Sequence, residues 1–201
     1  MTGPSVTLIG GPARVGKTTL ARRLVAASPV ELVHLDHLLH ALTSVADAEA
    51  RACLQKAPSI DDCDPDQWLN EIRKRDRVLW TAASAYIAAA AAGMGELVIE
   101  GGLWPDWVHG LSGEYAAVFL VDTGDSASRL VDVARAHPES WMARRNWSED
   151  KIRRWADYNR LRSEMITDLA NEHGYRVFDI RDGIDVAGDC AFRELTSLAV
   201  H

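Results

Sequence analysis

Apolar positions along the chain follow two rhythms that take turns. Residues 6–9 (VTLI) form a short β-branched run that stops at Gly10-Gly11, and residues 17–27 then carry Leu20, Leu24 and Val25 at helical spacing. The same strand-then-helix alternation recurs, with further strands predicted at 31–35 (ELVHL), 97–99 (LVI), 117–121 (AVFLV) and 176–180 (RVFDI). Alternating β and α segments predict an α/β fold, a three-layer α/β/α sandwich around a five-stranded parallel sheet. Residues 6–9 and 117–121 are apolar without interruption, as strands covered by helices on both faces are, and belong in the sheet centre.

A long stretch separates the second and third strands, and residues 37–95 are expected to form an inserted helical subdomain that binds the acceptor. It contains a turn-rich acidic segment at Asp61, Asp62, Asp64, Pro65 and Asp66, and an alanine-rich helix over 82–92. Ser148 followed by Glu149 and Asp150 is a helix start, and Gly174 a stop, for one long helix through Trp155, Leu161, Met165 and Leu169. No repeat or linker divides the chain, so residues 1–201 read as a single domain.

Composition leaves that picture intact. A chain of 201 residues with 47% hydrophobic and 25% charged content is ordinary for one globular core. Its formal net charge of -7 repels phosphate backbones and anionic headgroups, so neither nucleic acid nor a membrane is an expected partner. The first residues lack a basic segment before an apolar run, and the longest apolar stretch, 82–92, is too short to span a bilayer. Cys53, Cys63 and Cys190 have no CxxC spacing, which fits free thiols in a reducing compartment; a cytoplasmic monomer or homodimer is expected.

The strongest chemical signal is Gly11-Pro12-Ala13-Arg14-Val15-Gly16-Lys17-Thr18, a complete GxxxxGKT motif between a predicted strand and a predicted helix. Glycines at these places let successive backbone N–H groups turn toward a β-phosphate at a helix N-terminus. Lys17 is placed to neutralise the β- and γ-phosphates and Thr18 to ligate Mg²⁺, with Thr19 beside the nucleotide. ATP and Mg²⁺ are the implied cofactors.

In an open parallel sheet, ligands collect beyond the carboxyl ends of the strands. Asp36 stands after the second strand and can take the proton of an acceptor hydroxyl, or simply cap a helix. Glu100, after the third, can hold the Mg²⁺ water shell, and Gly101 and Gly102 permit close approach of a ligand. His37 and Trp104 complete the expected acceptor contacts, with Trp104 and Trp107 stacking on the acceptor. Trp68, Trp80, Trp141, Trp147 and Trp155 are assigned to packing. His34, His37 and His40 lack thiolates nearby and a spacing that suits a metal. Arg144 and Arg145, in a lid segment at 137–150, are expected over the γ-phosphate. Arg153, Arg160 and Arg162 fit either an anionic partner or a solvated helix face.

With these residues in place, the sequence resembles the P-loop small-molecule kinases, the group of adenylate, shikimate, gluconate, uridine and 2-phosphoglycerate kinases. The likeness rests on IGGPARVGKTTLARRL, HLDHLLH, LVIEGG, FLVDTGDSASRL and YRVFDI. It implies a P-loop NTPase fold with strand order 2-3-1-4-5, a lid helix beginning at Arg129, a loop after Ile180 bordering adenine, and transfer of the γ-phosphoryl of ATP to a hydroxyl. Nucleoside monophosphate kinases carry arginines for the acceptor phosphate in the insertion and after the third strand. This chain has Glu-Gly-Gly-Leu-Trp-Pro there and only Arg51 as a substitute, which favours a neutral nucleoside, sugar or other metabolite. A nucleoside monophosphate kinase and a regulatory ATPase without an acceptor stay open, although no NKxD motif and no aspartate-glutamate pair ends an apolar strand.

Lys17→Ala is expected to lower phosphoryl transfer by about two orders of magnitude or more, because charge on the γ-phosphate loses its counter-charge. Steady-state ADP release by the variant measures it.

Overall fold

The computed structural model describes residues 6–55, 59–90, 92 and 96–198. Five strands form a wholly parallel sheet: β1 (Val6–Gly10), β2 (Glu31–His34), β3 (Leu97–Glu100), β4 (Tyr115–Val121) and β5 (Arg176–Asp179). Their order is β2-β3-β1-β4-β5, so the first strand lies in the middle, as the resemblance implied.

Alternation of side chains along the central strands feeds two separate cores, the reason those strands read as unbroken apolar runs. On one face Leu8, Ile99, Phe119 and Val121 pack with Ile72, Leu79, Leu130 and Ile166. On the other, Ile9, Val98, Val118 and Leu120 pack with Leu20, Leu24, Ala187 and Leu195. The second layer comes from α1 (Lys17–Ala27) and α9 (Ile184–Leu198), the first from helices of the insertion and of the segment after β4, which completes the three-layer sandwich.

Helices fill the insertion: α2 (Leu35–Val45), α3 (Ala48–Gln55) and α4 (Pro65–Ala89). Strand boundaries differ from expectation in both directions: β1 and β3 each run one residue further and β4 begins two residues earlier, at Tyr115, whereas β2 and β5 each end one residue sooner. Leu35 opens α2 instead of closing β2, and Ile180 enters a 3-10 turn because the Asp179 carboxylate accepts a hydrogen bond from the Arg181 amide at 3.0 Å. The alanine-rich 82–92 stretch is the end of a much longer helix, with Ala91 outside the described residues. That helix starts early because Asp64 caps it, accepting from the Gln67 amide at 2.8 Å, with Pro65 in its first turn where a missing N–H costs nothing. Pro65 and Asp66 are therefore helical, and only the residues up to Asp64 form the acidic turn.

After β3 come α5 (Pro105–His109), then α6 (Ala127–Ala136) after β4, α7 (Trp141–Arg144) and α8 (Glu149–Glu172). Ser148 caps α8 by accepting from the Lys151 amide at 3.2 Å, and Gly174, with φ 74, stands just beyond its end. Among the described residues no helix is long and apolar enough to cross a membrane.

The loop between β1 and α1 is wedged against β4. A Cβ on Gly11 would stand 2.0 Å from the Leu120 carbonyl oxygen, and Gly11 has φ +133. Gly11→Ala is expected to cost about 2 kcal/mol or more, from strain and overpacking together. Urea unfolding of the variant against the parent chain measures the loss.

Candidate active site

Parallel register sets the first part of the site. Ile9 of β1 pairs with Glu100 of β3, and Glu100 pairs with His34 of β2, so these strands end at one level. The loop that leaves β1 is thereby held beside the Glu100 carboxylate. Thr18 Oγ1 donates to Glu100 Oε1 at 3.0 Å, and His34 Nδ1 lies 2.6 Å from the same oxygen.

The 11–18 loop keeps a strained path. Arg14 has φ 68, and Gly16, the residue before α1, has φ 90. Such a path turns backbone N–H groups toward a single point at a helix N-terminus, where an anion is favoured. Lys17 donates to the Pro12 carbonyl at 2.5 Å, so its ammonium is folded back over the loop. Burial pushes the Lys17 ammonium down to about 8, against the opposing pull of Glu100 and Asp36, while Arg162 pushes in the same direction as burial.

Next to the loop lies a cavity of about 570 Å³. Ala13 of the loop and Asp36 of α2 line it together with Arg145, and the indoles of Trp68, Trp147 and Trp155 form much of its wall. Arg75 and Arg162 line it as well. A smaller groove of about 190 Å³ opens beyond β4 and β5, between Asp122, Arg129, Arg181 and Ile184. Ile184 lies 3.1 Å from where a Gly16 Cβ would stand, so this groove borders the other side of the loop. Arg129, inside α6, binds the Asp122 carboxylate at 2.5 Å.

A buried carboxylate organises the cationic wall. Asp76 of α4 takes the Arg162 guanidinium on Oδ2 at 2.7 Å, the Arg75 guanidinium on Oδ1 at 2.8 Å, and the Trp104 indole N–H on Oδ2 at 3.0 Å. Arg162, only 6% exposed, also lies over the Trp104 ring at 5.0 Å, and its Nε is buried without a hydrogen-bond partner. Burial holds the Arg162 guanidinium below the ordinary arginine range, with Asp76 opposing that shift. The acidic turn closes the outer side: Asp61 pairs with Lys151 and, at 2.6 Å, with Arg154 of α8, and Tyr158 donates to the Cys63 carbonyl at 2.7 Å.

Several expected residues are placed elsewhere. Trp104 is 0% exposed with its N–H committed to Asp76, so it supports the arginines and offers no face to an acceptor. The open side of Gly102 is filled from within, since a Cβ there would meet the Arg162 guanidinium at 3.0 Å and Asp76 at 3.3 Å. A Cβ on Gly101 would likewise stand 2.6 Å from the Leu35 Cβ. His37 turns its ring edge against His34, 4.9 Å between centroids, and is not among the cavity residues. Of the lid pair only Arg145 lines the cavity; Arg144 is exposed within electrostatic range of Glu139. Arg51 caps the end of α2 by donating to the Ala46 carbonyl at 2.9 Å.

Conversely, Trp68, Trp147 and Trp155, assigned to packing, stand at the cavity, as do Arg75 and Arg162, both held by Asp76; of these three the sequence points only to Arg162, for an anionic partner or a solvated helix face. A signal for two of them exists. Asp76 falls on the buried stripe of α4 with Trp68, Leu69, Ile72 and Leu79, and Arg162 on that of α8 with Trp155, Asn159 and Ile166. A charge at a core position of an amphipathic helix calls for a buried partner. Arg160, by contrast, pairs on the helix surface with Glu164 at 2.5 Å.

The molecule shares its fold with solved small-molecule kinases. Gluconokinase from Sinorhizobium meliloti 1021 superposes with a TM-score of 0.57 at 16% identity, over 99% of this chain and 95% of that one. A shikimate kinase from Acinetobacter baumannii in complex with shikimate gives 0.54 at 16% identity, over 98% and 95%. Shikimate kinase from Bacteroides thetaiotaomicron gives 0.54 at 14% identity, over 95% and 98%. No protein-family model matches the sequence, and no curated protein does. At such identities the likeness establishes the α/β fold with its 2-3-1-4-5 sheet.

The depressed Lys17 ammonium is expected to give the binding of phosphate oxygens at this loop a pH dependence. Phosphate oxygens favour the charged form, so below about pH 8 Lys17 enters the complex already protonated and its contribution is flat. Above that pH the free protein must take up a proton to bind, and affinity is expected to fall by up to about tenfold per pH unit. Calorimetric titration with magnesium-free ATP in buffers of different ionisation enthalpy is expected to show proton uptake near pH ~9. Lys17→Arg, which keeps its charge, is expected to remove the uptake.

Proposed function

We propose that this chain is an ATP-dependent phosphotransferase that moves the γ-phosphoryl group of Mg-ATP to a hydroxyl of a small-molecule acceptor. What carries the reading is one cavity that joins a residue of the phosphate-type loop, Ala13, to a carboxylate at a strand end, Asp36, and to a cationic wall. A regulatory ATPase needs no such chamber; a kinase needs it to keep acceptor and γ-phosphate together and water out.

In this reading residues 11–18, with Thr19 following, cradle the phosphates, and the groove at Arg129, Arg181 and Ile184 takes the base. Thr18 and Glu100 offer two oxygen donors 3.0 Å apart, which fits Mg²⁺, a hard cation held by few protein oxygens plus phosphates and water. Bound there, the ion supplies charge neutralisation at the β- and γ-oxygens. Lys17 leaves the Pro12 carbonyl for the same phosphates. The insertion over residues 37–95 supplies the acceptor-binding part, and Arg145, from the 137–150 lid, spreads its charge over the transferring group. Asp36 orients the acceptor hydroxyl and receives its proton as the new bond forms; it is near enough to pull on both Lys17 and Arg162 electrostatically.

Incubation with ATP and pooled nucleosides, sugars, sugar acids and hydroxy acids, with product mass as readout, identifies the acceptor. Asp36→Asn is then expected to lower kcat by about 10²-fold or more while ATP affinity stays within about twofold. Turnover equal to the parent would remove Asp36 as the base.

A further inference from the structure

The cavity wall constrains the acceptor more closely than the sequence does. Three indoles meet there, with Trp147 and Trp155 edge-on at 6.4 Å between centroids and Trp68 only 5% exposed. Neutral hydrogen-bonding side chains are scarce. Apart from the indole N–H groups, which only donate, they are Ser59 and Asn159 among the described lining residues, and each already makes one bond: Ser59 Oγ accepts from the Asp61 amide at 3.2 Å, and Asn159 donates to the Trp155 carbonyl at 2.9 Å. A polyol would set several hydroxyls against indole, where the neutral acceptors are few, and each one left unpaired has a cost. A flat apolar ring would lose nothing there and would gain contact with the indole faces.

Asp36 and Arg145 on the same lining carry one charge of each sign, and the inner wall beside them is unbalanced by one. Two guanidiniums, Arg75 and Arg162, share the single carboxylate of Asp76, and Arg162 Nε is buried with no partner. The neighbouring cation Lys151 pairs with Asp61, which it shares with the half-exposed Arg154 outside the lining. One surplus positive charge with an orphaned N–H suits a monoanion that offers planar acceptor oxygens, a carboxylate. A phosphate monoester, near two negative charges at neutral pH, would exceed the surplus. This argues against the expectation of a neutral acceptor, which rested on counting Arg51 alone in the insertion.

We infer that the acceptor is an aromatic hydroxy acid, its ring against Trp68, Trp147 and Trp155, its carboxylate facing Arg75 and Arg162, and its hydroxyl at Asp36. The inference rests on the phosphotransferase reading and names its substrate class. In the reaction the acceptor oxygen forms a bond to the γ-phosphorus, and the bond from that phosphorus to the β-bridging oxygen breaks. ADP leaves with the electron pair, and the hydroxyl proton passes to Asp36 and on to water.

Binding and transfer are tested separately. Hydroxymethylbenzoate, hydroxyphenylacetate, benzyl alcohol, gluconate and AMP are titrated without nucleotide, with indole fluorescence as readout, and then offered with Mg-ATP. The aromatic hydroxy acids are expected to quench the fluorescence saturably and to exceed benzyl alcohol, gluconate and AMP in kcat/KM by about tenfold or more. Arg75→Met is expected to shrink the ratio of acid to alcohol by about tenfold, and Trp147→Leu to weaken binding of the aromatic acids relative to gluconate. ATP binding by each variant serves as the check on folding. No saturable quenching by the aromatic acids, or better turnover of gluconate, AMP or the neutral alcohol, would overturn the inference. In the second case the phosphotransferase reading stands. Failure of that reading has its own signature, ATP bound with no phosphorylated product from any acceptor class.

Discussion

A single buried carboxylate ties the insertion to the rest of the molecule. Asp76 lies on α4, yet its partners come from three places: Arg75 on the same helix, Arg162 on α8, and the indole N–H of Trp104 from the loop after β3. A carboxylate only 4% exposed is tolerable because all its strong acceptor directions are used. Taking away Asp76 or Arg162 would strand the other in a dry interior, which in such settings costs about 3–5 kcal/mol. The same contact joins α4 to α8, and both helices supply residues to the cavity wall.

That arrangement explains the glycines after β3. Gly102 leaves room for a guanidinium and a carboxylate of the protein itself, and the tight approach expected for a ligand is made by an internal ion pair. Trp104 serves the same pair, below by its ring and sideways by its N–H. The indoles that do reach the cavity come from the two helices that flank it, α4 and α8, and from the turn before α8.

Around the phosphate-type loop the electrostatics run the other way. Lys17 is an ammonium partly withdrawn from water, near the guanidinium of Arg162, and it folds back onto the Pro12 carbonyl. A group in that condition gains most when negative oxygens arrive, because its desolvation cost has already been met within the fold. Glu100 holds Thr18 from one side and His34 from the other, so the oxygen donors that suit a cation are oriented by strand register instead of by loop flexibility.

Much was legible from the sequence by itself: the five strands, the central place of residues 6–9 and 117–121, the motif at 11–18, the caps at Ser148 and Gly174, and, through resemblance, the strand order. These depend on local periodicity and on backbone geometry that a few glycines impose, and both are written within a handful of neighbouring residues. Only the tertiary structure decided which tryptophans face the cavity, that Trp104 is buried, that Arg145 and not Arg144 lines the site, and that Asp76 joins Arg75 to Arg162. Asp76 and Arg162 are separated by the third and fourth strands in sequence and meet because α4 and α8 cover the same sheet face. A charged residue looks alike in sequence whether it faces water or a buried partner, and only packing between distant helices distinguishes the two.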